Sequence, residues 1–198
     1  MPSANNSIAL RAMHYEKLDV KHCLEGSTLP SYSNNKSVFF TLCNKLSVMA
    51  HLNLTYHIVW RTRDSQRTIN EEYERELYAY VLGMCNEKKC HLYRINSMPD
   101  HVHLCVEIHP TIAVSEFVRV IKQETSKWLK ENRHKFPAFD GWGNGYAGFT
   151  YSVKERPAVI AYIKGQKEHH KVKTFREEYE EWLMEMGEDL SGDLFFKD

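Results

Sequence analysis

Residues 91–109 read HLYRINSMPDHVHLCVEIH, and this stretch decides the fold. A short strand is indicated from His91 to Asn96, and a second strand from His101 to His109. Between them, Ser97-Met98-Pro99-Asp100 has the composition of a tight turn. The stretch therefore predicts a β-hairpin.

The flanking sequence extends this hairpin into an alternating series of strands and helices. Strands are predicted at 52–62 and 146–153, where β-branched and aromatic residues concentrate. Helices are predicted after a capping Asn70, from about 114 to 133, and from Pro157 to about His170. The order β-α-β-β-α-β-α predicts an α+β protein of the ferredoxin-like or RRM-like sandwich type, an antiparallel sheet with helices on one face.

Length and composition place limits on the class of protein. The 198 residues, 42% of them hydrophobic, are enough for one domain with a real core. No run of 18 apolar residues and no signal peptide are visible, so we expect no membrane partner and a cytoplasmic location. The five cysteines are expected to be reduced thiols. No GxxxxGK[ST] loop is present, and no nucleotide cofactor is expected.

The sequence divides into three parts. Residues 1–48 lack periodicity and are expected to be a poorly ordered N-terminal extension, or alternatively to add a strand or short helix. Residues 49–175 form the expected working domain. Residues 176–198 are an acidic tail in which EEYEEWLMEM is a candidate helix. The formal net charge is zero. Because the tail is strongly acidic, residues 49–175 are modestly basic, which is compatible with phosphate binding.

His101-Val102-His103 is the most informative triplet. Side chains at i and i+2 of a strand share a face, so both imidazoles can bind one metal ion. Taken alone, such a pair is more often solvated or hydrogen-bonded. Asp100 is a candidate to accept an imidazole N–H and fix the tautomer, and equally a turn residue that bonds its own backbone.

Tyr162 and Gln166 lie four residues apart on the third predicted helix and share a face. The tyrosine could be ordinary core. An amide is harder to bury, and its oxygen could complete a two-histidine site suited to Mg²⁺ or Mn²⁺. His169 and His170 fit a helix C-terminus that favours positive charge, or a contact to the DNA backbone.

MPDHVHLCVEI and VIAYIKGQKEHHK together resemble the HUH-type single-tyrosine transposases of the IS200/IS605 class and their REP-associated relatives. The resemblance covers about Leu52 to Lys173, with Gly165 in place of the family's usual asparagine. It implies the HUH endonuclease fold, Tyr162 as the nucleophile, and a metal held by His101, His103 and Gln166. It further implies cleavage and rejoining of single-stranded DNA through a 5′-phosphotyrosine.

The resemblance also implies partners: single-stranded DNA with hairpins at element ends, and a homodimer in which the tyrosine helices exchange across a glycine hinge at 141–145. The REP-associated relatives, by contrast, can be monomeric. Candidate DNA contacts are Arg61, Arg63, Lys122, Lys127 and Trp142. For the basic residues a solvated surface role, and for Trp142 core packing, are the competing interpretations.

Three other functions remain open. The first is the same chemistry without mobility, in a domesticated nickase-ligase. The second is a non-catalytic RRM-like module, which predicts stacking aromatics on an open sheet face. The third is a hydrolytic metallophosphoesterase, which needs more ligands near the histidine pair, where Glu107 is the obvious candidate.

Overall fold

The structure, a computed structural model, describes residues 52–187 and 195–196. The expected N-terminal extension, residues 1–48, lies outside the described residues. The elements are β1 Thr55–Arg61, α1 Glu74–Glu87, β2 His91–Ser97, β3 His101–Glu107, α2 Val114–Glu131, β4 Ala147–Tyr151, α3 Arg156–Lys164, α4 Gln166–His169 and α5 Phe175–Met186, with a 3-10 turn at Arg63–Ser65.

The four strands form one antiparallel sheet in the order β2-β3-β1-β4. The hairpin of β2 and β3 is present, closed by Met98 N–H donating to the carbonyl of His101 at 2.9 Å. The β-α-β-β-α-β order and this strand arrangement are those of a ferredoxin-like sandwich. The predicted fold class is confirmed.

One face of the sheet carries the main hydrophobic core. Alternate residues of the central strands, such as Ile58, Trp60 and Leu104, are fully buried there. They lie in one cluster with Leu77 of α1 and Ile121 of α2. The two crossover helices therefore lie together on one face, as the sequence predicted.

The opposite face of the sheet carries the histidines, since the intervening residues of β1 and β3 point there. It is covered by the C-terminal helices. Ile163 of α3 packs on Cys105 of β3, and Phe175 and Tyr179 of α5 pack on Val59 of β1. Helices thus cover both faces and not only the one face that was predicted, because the C-terminal helices form a second layer over the histidine pair.

Two helix boundaries differ from the prediction. The third helix does not continue to His170: it ends at Lys164, and a separate short helix follows Gly165. Glycine costs helix stability relative to other residues, which favours a break at this position. Asn70 does not cap α1. Its side chain accepts the N–H of Glu72 in a preceding turn, and the helix begins at Glu74.

The stretch of the acidic tail that contained a candidate helix forms α5. Thr174 and Glu177 make a reciprocal capping box, in which each side chain bonds the other residue's backbone N–H. The helix ends at Gly187, which has a φ of 72°. α5 is therefore well delimited at both ends.

Candidate active site

His101 and His103 occupy alternate positions of β3 and point to the same face of the sheet. Their side chains are 1% and 0% exposed, and their ring centroids are 4.9 Å apart. The i, i+2 geometry expected from the sequence is therefore present, in a fully buried setting.

Each of these histidines has a hydrogen-bond partner at Nδ1. Nδ1 of His101 lies 2.6 Å from Oδ1 of Asp100, and Nδ1 of His103 lies 3.0 Å from Nε2 of His57. With the hydrogen on Nδ1, the lone pair of each Nε2 is left for a metal. Asp100 is thus placed where a residue that fixes the tautomer of His101 must be.

Burial keeps these imidazoles neutral. It lowers the pKa of His103 well below its usual value, lowers that of His101 despite the neighbouring Asp100, and lowers that of His57 to about 4. Metal-binding histidine must be deprotonated. At neutral pH the histidine face therefore already presents the form that binds a cation.

Tyr162 and Gln166 meet at one carboxylate oxygen. The hydroxyl of Tyr162 donates to Oε1 of Glu178, and Nε2 of Gln166 donates to the same oxygen at 3.0 Å. The Tyr162 ring lies edge-on to those of His57 and His103, with centroids 6.0 and 6.4 Å away. The structure thus brings the four residues of the expected site together, although the helix is broken between Tyr162 and Gln166.

Burial and the charge of Glu178 raise the pKa of Tyr162. The phenol is therefore neutral and serves as a hydrogen-bond donor. Sequence reasoning identified no group to accept its proton; the structure supplies Glu178. Although burial alone would raise the pKa of this carboxyl, contacts with His170 and with the Tyr162 hydroxyl lower it, and it remains ionised.

Four buried atoms around Glu178 make no hydrogen bond to the described residues: Nε2 of His103, Nε2 of His169, Oε1 of Gln166 and Oε2 of Glu178. An unsatisfied buried polar atom typically costs about 1–3 kcal/mol. A divalent cation bound beside His103 and Glu178, whose ligand atoms belong to one cluster, would satisfy the atoms of these two residues. The donor set combines imidazole with amide and carboxylate oxygen, ligands that can hold a divalent cation.

His57 and Glu178 are the site residues that sequence reasoning missed, and His170 was interpreted as a helix C-terminus or a DNA contact and not as part of this cluster. Ligand atoms of His170 and Glu178 lie within 4.8 Å of one another and of those of His101 and His103. His57 carried a weak signal, a polar residue in the middle of a buried strand. Glu178 carried none, because its burial depends on how α5 docks.

Two of the expected DNA contacts pack against the protein itself. Arg61 is 1% exposed, and its Nε donates to the carbonyl of Phe195 at 2.6 Å. A guanidinium held in this way cannot reach a phosphate. Trp142 is partly buried, donates its indole N–H to Thr125 at 3.0 Å and packs edge-on against Trp60. These contacts favour the core-packing interpretation of Trp142.

The other three candidates differ in their surroundings. Lys122 donates to the carbonyls of Gly143 and Gly145, both at 2.7 Å. Arg63 pairs with Asp140 at 2.6 Å on the surface. Lys127 is exposed on α2. Arg63 and Lys127 are thus the two candidates within reach of a nucleic acid.

The glycine loop packs closely against Arg61. Gly143 N–H donates to the carbonyl of Arg61, and a Cβ at Gly143 would lie 2.6 Å from the Arg61 guanidinium. Gly145 has a φ of 72°, which a side chain would strain. Glycine is therefore needed at 143 for space and favoured at 145 for its backbone conformation.

Comparison with protein families places the chain among the transposases. A family model described as "Transposase IS200 like" matches residues 50–166, more than half of the chain, and the chain therefore belongs to this family. Transposases of this kind are DNA strand transferases, so the chain is an enzyme of that class. The resemblance found in the sequence is confirmed.

Individual relatives agree with this assignment. The transposase for insertion sequence element IS200 of Salmonella typhimurium is 28% identical over 125 residues, 61% of this chain and 81% of that protein. The ISDra2 transposase TnpA of Deinococcus radiodurans is 23% identical over 117 residues, 57% of this chain and 84% of that protein. A solved structure of a REP-associated tyrosine transposase bound to a REP hairpin aligns with a TM-score of 0.46 at 13% identity, over 62% of this chain and 74% of that one.

None of the helices in the described part of the chain is both long enough and apolar enough to cross a membrane. The three cysteines described there, Cys85, Cys90 and Cys105, are buried free thiols.

Proposed function

We propose that this transposase cleaves and rejoins single-stranded DNA with Tyr162 as the nucleophile and a divalent metal held by His101, His103 and Gln166. One observation carries the proposal. The Tyr162 hydroxyl and Gln166 share Oε1 of Glu178 as hydrogen-bond acceptor, and Oε2 of the same carboxylate lies 3.9 Å from the buried Nε2 of His103. A nucleophile, its proton acceptor and a set of unsatisfied metal donors therefore occupy one small volume.

The chemistry follows from these groups. When bound, a divalent cation neutralises the non-bridging phosphate oxygens and orients the phosphorus for in-line attack. The Tyr162 oxygen attacks phosphorus and the P–O3′ bond breaks, which leaves a 5′-phosphotyrosine and a free 3′-OH. A second 3′-OH reverses the step, displaces the tyrosine and joins two strands without ATP.

The DNA partner is proposed to be single-stranded, with hairpins at the ends of the element. A relative bound to a REP hairpin supports this choice of substrate. Arg63 and Lys127 are the exposed candidates for its phosphates. A homodimer remains a prediction, and the metal is proposed to be Mg²⁺ or Mn²⁺.

Two alternative functions are less well supported. An RRM-like binding module requires an open sheet face, and the face that carries the histidines is covered by α3 and α5. A hydrolytic metallophosphoesterase gains ligand candidates in His170 and Glu178, whereas Glu107 accepts from Tyr93 at 2.7 Å and is not part of the cluster. A hydrolase, however, would not form a stable link between tyrosine and DNA.

The test is a denaturing-gel assay with Mn²⁺ and single-stranded oligonucleotides copied from both flanks of the gene. The wild type is expected to form a protein–DNA adduct that survives SDS, and Tyr162→Phe to bind DNA without forming it. Tyr151→Phe is a matched control, because Tyr151 also lies beside His57, with ring centroids 6.4 Å apart. Equal adduct from Tyr162→Phe and wild type would show that Tyr162 is not the nucleophile.

A domesticated nickase-ligase would give the same adduct. Hairpins or repeats beside the gene distinguish it from a mobile element, because transposition needs recognisable ends.

A further inference from the structure

The helix that follows the tyrosine segment brings a charged residue into the interior. On α5, Phe175, Glu178 and Tyr179 are buried at i, i+3 and i+4, the spacing of a core-facing stripe. Phe175 stacks on the His101 ring, with centroids 4.1 Å apart and planes 12° apart. A carboxylate in such a stripe is costly unless a partner compensates its charge.

The two oxygens of Glu178 have different surroundings. Oε1 accepts from Tyr162 and Gln166 and lies 3.4 Å from Nε2 of His169. Oε2 makes no hydrogen bond to the described residues, and lies 3.4 Å from Nε2 of His170 and 3.9 Å from Nε2 of His103. Oε2 is therefore the oxygen that faces His103 and His170.

His170 is oriented in the same way as the two strand histidines. Its Nδ1 lies 2.8 Å from the carbonyl of Lys173, which fixes the hydrogen on Nδ1 and leaves Nε2 directed into the cluster. That Nε2 is 3.0 Å from Nε2 of His101. Two nitrogens whose hydrogens are both on the far side of the ring repel at this distance unless a proton or a cation lies between them.

The spacing of these atoms is that of ligands around one ion. Atoms bound at about 2.0–2.1 Å from the same cation lie roughly 3.0 Å apart in octahedral and about 3.4 Å apart in tetrahedral coordination. The measured separations among His101, His170, Glu178 and His103 are 3.0, 3.4 and 3.9 Å. All four ligand atoms lie within 4.8 Å of one another.

We infer that His170 and Glu178 are ligands of the metal ion, so that the C-terminal helix is part of the metal site. The inference rests on the proposed function, since it extends the set of His101, His103 and Gln166. The carboxylate then links the two parts of the chemistry, with Oε2 on the ion and Oε1 on the Tyr162 hydroxyl. The ion in turn ties α5 to the sheet.

Mn²⁺ binding to the full chain tests this inference without any measurement of DNA cleavage. Electron paramagnetic resonance follows the loss of the aqueous Mn²⁺ signal as protein is added, and thermal unfolding with and without Mn²⁺ gives a second readout. The variants are Glu178→Gln and His170→Gln. Glu185→Gln is the matched control, because Glu185 is exposed on the same helix and loses the same charge.

Glu178→Gln and His170→Gln are each expected to weaken Mn²⁺ binding at least about tenfold, as loss of metal-site residues typically does. Both should also lose most of the stabilisation that Mn²⁺ gives the wild type, while Glu185→Gln keeps it. His170→Gln, which changes a half-buried residue at the end of α4, provides the answer if Glu178→Gln does not fold.

Two results separate failure of this inference from failure of the proposed function. If His103→Gln loses Mn²⁺ binding while Glu178→Gln and His170→Gln bind as tightly as wild type, the metal site exists and the inference is wrong. If the wild type itself binds no Mn²⁺, the proposed metal-dependent chemistry fails together with it.

Discussion

Replacing His57 by phenylalanine isolates the residue that orients His103. Phenylalanine keeps an aromatic ring among Phe149, Tyr162 and Trp182, whose ring centroids lie 5.6–6.0 Å from that of His57. It removes the nitrogen that lies 3.0 Å from Nδ1 of His103. The packing is therefore nearly preserved while one hydrogen bond is lost.

The expected loss of Mn²⁺ affinity follows from the two tautomers that remain possible for His103. If its hydrogen stays on Nδ1, a buried donor is unsatisfied, at a cost of about 1–3 kcal/mol of unfolding free energy. If the hydrogen moves to Nε2, the lone pair that faces the cluster is lost. Either way we expect Mn²⁺ affinity to fall about 10- to 100-fold, the usual effect of removing a partner of a metal-binding histidine.

Isothermal titration with Mn²⁺ measures the affinity, and urea unfolding in EDTA measures the stability. His109→Phe is the control: it makes the same chemical change at a surface histidine that bonds Thr111 at 2.8 Å. A His57→Phe protein that binds Mn²⁺ as tightly as His109→Phe would refute the orienting role of His57.

Four further predictions concern stability and DNA binding. In EDTA, the unfolding free energy should fall as the pH drops from 7 toward 5, because burial lowers the pKa of His57 to about 4 and the unfolded chain therefore binds protons first. The contribution of His57 to stability is fully present above its unfolded pKa of 6.5 and is lost as the pH falls toward 4. His170, whose pKa is raised, opposes this loss only in part. Arg61→Met should lower the unfolding free energy by about 1–3 kcal/mol in urea, since Phe195 loses its donor, yet leave DNA affinity measured by anisotropy unchanged; a selective loss of DNA binding would restore Arg61 as a contact. Lys127→Ala should weaken binding to all single strands and reduce the salt dependence by about one counterion, and an unchanged slope would remove it from the interface. Thr174→Ala should cost about 1 kcal/mol by breaking the capping box and should also weaken Mn²⁺ binding if α5 belongs to the site.

The parts of the fold that could be predicted are those set by local patterns. Strand alternation in 91–109 gave the hairpin, and it also placed His101 and His103 on one face. The helical spacing of apolar residues in 114–131 predicted α2 with nearly correct ends. These features depend on neighbours along the chain, and a sequence contains that information directly.

The parts that could not be predicted depend on contacts between distant segments. Arg61 is a basic residue at the end of a strand, which suggested a DNA contact, and only the approach of Phe195 in the structure shows that it is buried. Glu178 lies in a run of acidic residues, where solvent exposure is the usual expectation. The sequence does not distinguish Glu178 from the several glutamates beside it, and only the docking of α5 against the sheet shows which of them is buried in the site.

The break at Gly165 is an intermediate case. Glycine inside a helical pattern lowers the expectation of a continuous helix, but a single glycine is often tolerated. Here it separates the segment that carries Tyr162 from the segment that carries Gln166 and His170. Both segments still reach Glu178, so the shared face expected from an unbroken helix is preserved by the tertiary packing.

Glu178 and Tyr162 come from separate helices, and this has a consequence for folding. The strands that carry His57, His101 and His103 and the helix that carries Tyr162 all precede α5 in the chain. Until α5 docks, the cluster lacks its carboxylate and the Tyr162 hydroxyl lacks its acceptor. Any local opening that lifts α5 from the sheet would therefore separate the proposed nucleophile from its proton acceptor while the rest of the fold stays intact.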